Sequence, residues 1–270
     1  YTMLRDGHVC DDCLTGSVSN AFRHRCQQGD TFKSLLLSLE AYWQKFAQNY
    51  AMLDCIIAPS EFMRQTLLRK LPRSRIETIV NGIDASATIP GDTAGDYFLY
   101  IGRLSREKGV ATLALAQQKM QQSMPLKIVG DGPLGSDLRA RFSGPEFLGY
   151  MRHGDALNAL IRGARAVIVP SEYYENCSMS VLEAMAFGRP VVGGNIGGIP
   201  EQIRDGIDGY LVEPGDADAL ARIMDSLAVN PQQAREMGIN ARQRLEEKYD
   251  LARHMQVLQE LYQQLVGEEK

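Results

Sequence analysis

From Tyr97 onward the chain alternates short apolar runs with amphipathic stretches at a spacing that leaves few folds open. Residues 97–102, 126–129, 146–148, 167–169, 191–192 and 209–212 read as strands; 107–122, 134–142, 155–163, 178–187 and 200–205 read as helices between them. Strands this uniformly apolar are buried on both faces, and repeated strand–helix–strand units build a parallel sheet covered by helices. The expectation is an α/β domain of Rossmann-like type. Three more helical stretches follow, near 218–228, 231–247 and 250–266, the last amphipathic and without a strand partner.

Upstream, residues 90–95 (Pro-Gly-Asp-Thr-Ala-Gly) are turn-rich and read as a linker. Before them a helix at 33–50, a strand at 55–58, a helix at 61–71 and a strand at 76–80 make only two βα units. That is too little for a self-sufficient open sheet. The chain also opens on the turn-like Arg5-Asp6-Gly7 with no strand leading into a glycine loop, which points to an absent upstream segment. The expected organisation is 1–89 as the carboxyl-terminal portion of a first domain, 90–249 as a second domain, and 250–270 as a helix packing back toward the first.

Hydrophobic residues make up 44% of the 270, ordinary for a globular chain, and the net charge of −4 makes no general case for nucleic acid. The charge is uneven: +3 over residues 1–75 and −7 over the rest. A basic first part can face an anionic partner or be a solvated surface. No run approaches the ~18 apolar residues of a membrane span, and the amino terminus lacks a signal-peptide pattern. A cytoplasmic protein is expected.

Residues 173–183 (Tyr-Tyr-Glu-Asn-Cys-Ser-Met-Ser-Val-Leu-Glu) hold two carboxylates around a helix start. Glu175 falls in a strand-to-helix loop, and Glu183 lies about a turn and a half into the helix if Ser178 or Ser180 caps it. Both acids then face the crevice at the strand carboxyl ends, where open α/β sheets bind ligands. A second reading stays open, in which Ser180 and Glu183 form a capping box and Glu175 is a solvated loop acid. Strand 97–101 runs into Gly102-Arg-Leu-Ser-Arg-Glu-Lys-Gly109, with Ser105 as an N-cap and Lys108 at the third helical position. Cations are unfavourable there, so Arg103, Arg106 and Lys108 are most easily rationalised around an anion such as a diphosphate; otherwise they are solvated bases. Gly130-Asp-Gly-Pro133 and Gly193-Gly-Asn-Ile-Gly-Gly-Ile-Pro-Glu201 also follow strands. In the latter, Pro200 suits a first helical position, and Gly197 and Gly198 would bring free amides toward a ligand. The first cluster lacks the Gly-x-Gly-x-x-Gly spacing and its acid, which disfavours a nicotinamide dehydrogenase.

Taken in order, these stretches resemble the family 4 retaining glycosyltransferases of GT-B fold. The likeness runs through Asn81-Gly-Ile-Asp84, Gly102-Arg103 with Glu107-Lys-Gly109, Gly130-Asp-Gly132, Pro170-Ser171, Glu175 with Glu183, Gly188-Arg-Pro-Val191, Gly197-Gly-Ile-Pro-Glu201 and Gly209-Tyr-Leu-Val-Glu-Pro-Gly215. The resemblance implies a nucleotide-diphosphate sugar donor, a UDP- or GDP-sugar, held in the second domain. Arg103 and Lys108 would hold the diphosphate beside Gly102 and stabilise the departing nucleotide. Glu183 would accept from the ribose hydroxyls, and Glu175 would lie by the donor sugar. The amides of Ser178, Met179 and Ser180 would reach the distal phosphate or sugar, and the backbone around Tyr150 and Met151 would lie beside the base. The leaving nucleotide would help deprotonate the acceptor on the same face, with no separate base and no catalytic metal. Asn176-Cys-Ser178 departs from the Gly-Phe-Pro or Gly-Phe-Gly common in the family, which bears on sugar preference.

The implied partners are the nucleotide sugar and a glycan or lipid-linked acceptor, as in bacterial exopolysaccharide transferases, some of which carry cysteine-bearing inserts. Cys10, Cys13 and Cys26, with His8 and His24 nearby, would supply a structural zinc site if a fourth ligand joins them. The alternative is free or loosely paired thiols, since no second Cys-x-x-Cys completes the pattern. Residues 61–75 interleave Phe62, Leu67, Leu68 and Leu71 with five basic residues. Such a stretch would rest on the inner face of a membrane as a peripheral contact, or pack its apolar side on the first-domain sheet. Two other functions fit the same residues: a nucleotide-sugar-binding module without transfer activity, and a GT-B epimerase or phosphorylase relative, although no lysine stands out for a phosphorylase's pyridoxal cofactor.

Overall fold

The computed structural model describes residues 3–268 except Asp6, Gly7, Gln28 and Asp92. The opening turn at Asp6-Gly7 and one residue of the 90–95 stretch therefore lie outside the described residues. The chain divides into two compact units, Tyr1–Val80 with Gln259–Lys270, and Asn81–Leu258.

The second unit carries six parallel strands: β5 (Phe98–Ile101), β6 (Leu126–Val129), β7 (Glu146–Gly149), β8 (Ala166–Val169), β9 (Val191–Gly194) and β10 (Gly209–Val212). Their spatial order is β10-β9-β8-β5-β6-β7. Counted within the unit this is the doubly wound order, and its switch point lies where β5 and β8 are neighbours. Ala166–Val169 is buried at every position, which explains why the strands read as continuous apolar runs. Alternate residues supply the two faces: Phe98, Tyr100, Leu126, Ile128, Ala166 and Ile168 share one core with Leu113 of α5 (Val110–Lys119), Leu138 of α6 (Gly135–Arg141) and Leu220 of α10 (Ala217–Val229). Leu99 and Val167, pointing the other way, are equally buried. The remaining helices are α7 (Asp155–Gly163), α8 (Met179–Ala186), α9 (Ile199–Gln202) and α11 (Pro231–Lys248). Gly188, with φ +65°, follows the α8 cap residue Phe187 as the sequence implies.

Two local expectations fail. The helix expected over 107–122 is a 3₁₀ turn at Arg106–Lys108, then Gly109 with φ +67°, then α5 from Val110. Lys108 is thus not in the helix, and Ser105 does not cap it; its hydroxyl is 2.6 Å from Glu107 Oε1. The 90–95 stretch is bound within the second unit: the Gly91 amide donates to the Phe187 carbonyl, Arg189 Nη1 to that of Thr93, and Arg165 Nε to that of Ala94.

In the first unit, β3 (Ile56–Ala58) and β4 (Ile76–Thr78) pair in parallel, and β1 (Leu4–Arg5) and β2 (His8–Val9) form a small antiparallel pair that the sequence did not signal. Short α1 (Asp12–Thr15) and α2 (Asn20–Arg23) follow. Ser60 caps α4 (Glu61–Leu68) by accepting from the Met63 amide, and α4 packs on β3 and β4 with Phe62, Leu67 and Leu68 half-buried. Of the two readings of residues 61–75, packing is the one the structure displays. Helix α3 (Thr31–Phe46) ends before Gln48, whose φ of +51° breaks it. Its burial runs opposite to its hydropathy. Ser34, Ser38 and Ala41 face inward, with Ser34 Oγ accepting from the Gln27 amide and Ser38 Oγ donating to the Val18 carbonyl, whereas Phe32, Leu36, Leu39, Trp43 and Phe46 are exposed. The last helix, α12 (Leu251–Glu268), begins in the second unit and ends in the first, where Gln264 Oε1 accepts from Arg75 Nη2 at 3.3 Å.

Candidate functional site

The loops after β5 and β8 meet at the switch point. The Glu172 amide donates to the Glu107 carbonyl at 2.9 Å. Gly109 lets the chains come this close: an added Cβ would overlap the Pro170 carbonyl, and φ +67° is itself unfavourable for other residues. The contact brings Lys108 Nζ to 2.6 Å from Glu175 Oε1 and 3.1 Å from the Tyr173 hydroxyl. Ser171 Oγ donates to the same Glu175 oxygen at 2.9 Å, and Tyr173 Oη lies 3.4 Å from Glu175 Oε2. Glu175 is therefore a largely enclosed, triply contacted acid rather than a solvated one. Burial disfavours the Lys108 charge, but the Glu175 carboxylate and the bonds to Glu175 and Tyr173 outweigh it, so its pKa lies above the ordinary lysine value.

The three cations of this loop now separate. Lys108 has Glu175 as an internal counter-ion, and Arg106 has an interaction of its own. Arg103 is exposed, and among the described residues its guanidinium has no bonded partner. The case for an anion beside Gly102 rests on Arg103 and on the third ammonium proton of Lys108, since Glu175 and Tyr173 engage the other two.

At the start of α8, Ser178 occupies the N-cap position with φ −68° and ψ 119°, but its side chain makes no cap bond. Its amide donates to Gln202 Oε1 at 2.9 Å, so it is not open to a ligand as expected. The open amides are those of Met179, Ser180 and Val181, since the Leu182 amide already reaches the Ser178 carbonyl. Ser180 Oγ donates to the Ile101 carbonyl at 3.2 Å, tying α8 to the end of β5. Glu183 is the fifth residue of α8 and closes no capping box. Its one partner among the described residues is His153, with Nδ1 3.8 Å from Oε1. Burial raises its pKa, and His153 partly offsets this.

The glycine loop after β9 needs a correction of the same kind. Gly198 is not free, because its amide donates to the Glu175 carbonyl at 2.6 Å. Gly197, at φ +64°, is pressed against the backbone of Tyr174 and Glu175. These glycines hold the Glu175 loop in place. Tyr150 follows the edge strand β7; its amide donates to Asp131 Oδ2 at 3.2 Å and the residue is 69% exposed, while Met151 beside it is half-buried.

Cys10, Cys13 and Cys26 form no disulfide, and among the described residues no three His, Cys, Asp or Glu side chains are grouped to hold a metal. The Cys13 thiol is pushed above its ordinary pKa by burial, with the Cys10 charge adding to the effect.

Sequence reasoning missed Tyr173, Ser171, His153 and Gln202 as parts of the site. Tyr173 and Ser171 flank Glu175 and were within reach of a local reading; His153 and Gln202 arrive from distant loops with no sequence signal.

The family model described as "Glycosyl transferases group 1" matches residues 95–230, and that described as "Glycosyltransferase Family 4" matches residues 22–87. The chain is 28% identical over 246 residues to the alpha-maltose-1-phosphate synthase of Mycolicibacterium smegmatis, covering 78% of this chain and 63% of that protein. It thus spans less than two thirds of that relative. Among solved structures, sucrose-phosphate synthase from Thermosynechococcus elongatus matches with TM-score 0.72 and 26% identity, over 82% of this chain and 61% of that one. HepE of Anabaena in complex with UDP-glucose matches with TM-score 0.72 and 20% identity, over 88% and 69%.

Proposed function

Because this chain belongs to the group 1 glycosyl transferases, we propose that it is a retaining hexosyltransferase that moves a sugar from a nucleotide-diphosphate sugar to a glycan or lipid-linked acceptor. Its α/β fold is that of the GT-B glycosyltransferases. The observation that carries the reading is the junction of the β5 and β8 loops, where Lys108, on the loop that also carries the exposed Arg103, pairs with Glu175, and where Ser180 at the start of α8 bonds the Ile101 carbonyl at the end of β5.

In this reading the diphosphate lies between Arg103, the remaining Lys108 proton and the amides of Met179 and Ser180. These donors strengthen as charge builds on the departing nucleotide, which is where stabilisation lowers the barrier. Glu175 orients Lys108 and meets the sugar hydroxyls. Glu183 accepts from the ribose, and the backbone at Tyr150 and Met151 borders the base. The departing phosphate takes the acceptor proton on the face it leaves, so no separate base is required. Family 4 membership and a role in polysaccharide synthesis at the inner face of the cytoplasmic membrane complete the proposal; no described helix is long and apolar enough to cross a membrane.

Calorimetric titration with UDP, GDP and ADP tests it. UDP comes first because the Anabaena relative was solved with UDP-glucose. One nucleotide should bind clearly, and Arg103→Ala should weaken it by roughly 10- to 100-fold, the worth of a charge-assisted hydrogen bond. Binding of none of the three refutes the reading. Sugar transfer or donor hydrolysis then separates an enzyme from a binding module.

A further inference from the structure

The entrance to α8 is held by a side chain outside every motif discussed above. Gln202, the last residue of α9, is 2% exposed, and its carboxamide meets the backbone of Ser178 twice. Oε1 accepts from the Ser178 amide at 2.9 Å, and Nε2 donates to the Ser178 carbonyl at 3.0 Å. Nε2 also lies 3.5 Å from Cys177 Sγ. The carboxamide thus pairs with Ser178 as a neighbouring strand's peptide group would. On the same segment, Asn81 Nδ2 is 3.8 Å from Met179 Sδ.

This arrangement resolves a conflict built into helix starts. A serine at the N-cap ordinarily orders the first turn by accepting from the second or third helical amide, but that bond takes up the donor an anion would use. Here the Ser178 side chain makes no such bond. Order comes instead from Gln202, through the backbone one residue earlier, and the amides of Met179, Ser180 and Val181 stay open. Gln202 also contacts Cys177, the middle of the Asn176-Cys177-Ser178 segment beside Glu175.

We propose that Gln202 is a positioning residue for the donor: it sets the α8 entrance so that the open amides meet the distal phosphate and sugar, and through Cys177 it tunes which sugar fits. This rests on the nucleotide-sugar reading above. It assigns Gln202 no contact with the donor, so its removal should affect the sugar-phosphate end and spare the nucleoside end.

Titrations of UMP and UDP-glucose against native protein, Gln202→Leu and Gln202→Glu test this. Gln202→Leu is expected to bind UMP within about twofold of native and UDP-glucose about 10-fold more weakly, one hydrogen bond's worth of misplaced amide. A protonated glutamic acid can still accept from the Ser178 amide and donate to its carbonyl, whereas the carboxylate cannot donate. Gln202→Glu should therefore lose UDP-glucose affinity near pH 8 and regain it relative to native toward about pH 6, because burial raises a carboxyl pKa. A folded Gln202→Leu with the native UMP to UDP-glucose ratio overturns the proposal. If that variant does not fold, a Gln202→Glu profile parallel to native overturns it. Should the native protein select GDP or ADP instead, the matching monophosphate and nucleotide sugar replace these probes; native protein that binds none of UDP, GDP and ADP removes the nucleotide-sugar reading and this proposal with it, and native binding with unchanged variants removes this one alone.

Discussion

Replacing Gly197 with alanine probes the loop that supports Glu175. Gly197 sits at φ +64°, where an L-residue costs about 1–2 kcal/mol. An added Cβ would also overlap the Glu175 carbonyl oxygen, with Glu175 N at 2.7 Å and Tyr174 Cα at 3.1 Å. These are backbone atoms that cannot rotate aside, so overpacking adds about 1–3 kcal/mol. The expected loss is about 2–5 kcal/mol in all. Gly215→Ala is the matched control: φ is +81°, but nothing lies within 4 Å of its Cβ position, so it carries the backbone strain alone. Urea denaturation followed by far-UV circular dichroism should place Gly197→Ala about 1–3 kcal/mol below Gly215→Ala. The displaced Glu175 loop should also lengthen the 2.6 Å contact to Lys108 and lower nucleotide-sugar turnover, which the control leaves unchanged. Equal losses from the two alanines would refute the close approach, and with it the view that these glycines support Glu175.

Lys108→Met and Glu175→Gln should each destabilise the protein, yet the double variant should lose less than their sum, with a coupling of roughly 1–3 kcal/mol, because each single change strands a largely buried charge; additive losses in denaturation would refute a coupled pair. Glu183→Gln should raise the melting temperature near pH 8 while weakening nucleotide binding. Burial raises the native pKa of Glu183, so the native state binds its proton at higher pH than the unfolded chain, and its charge subtracts from stability above the native pKa. The difference in melting temperature should fade as pH falls through that pKa toward the unfolded value near 4.3; a difference independent of pH would count against the assignment.

The strands of the second unit were legible within a residue or two because a strand buried on both faces is a property of its own residues. Gly188 as a helix stop was legible for the same local reason. The start of α5 was not, although Lys108-Gly109 carried a signal: a glycine at that place permits φ +67°, and the periodicity of 107–122 runs through it unbroken. Helix α3 misleads more deeply. Its large apolar residues stay exposed while Ser34 and Ser38 turn inward, bonded to the Gln27 amide and the Val18 carbonyl.

Taken alone, then, the sequence determined the βα alternation, the parallel sheet and the residue types gathered at its carboxyl ends, all consequences of hydrophobic period and turn chemistry within short windows. Which loops touch was decided by strand order. The sheet seats β8 beside β5, and only that adjacency brings Lys108 to Glu175 and Ser180 to Ile101. The availability of individual amides was decided likewise. Gly198 and Ser178 look open in sequence but are bonded to Glu175 and Gln202 by loops that meet only after the sheet is assembled. A buried polar group must find a partner, and in this protein those partners lie far along the chain, where no local pattern could announce them.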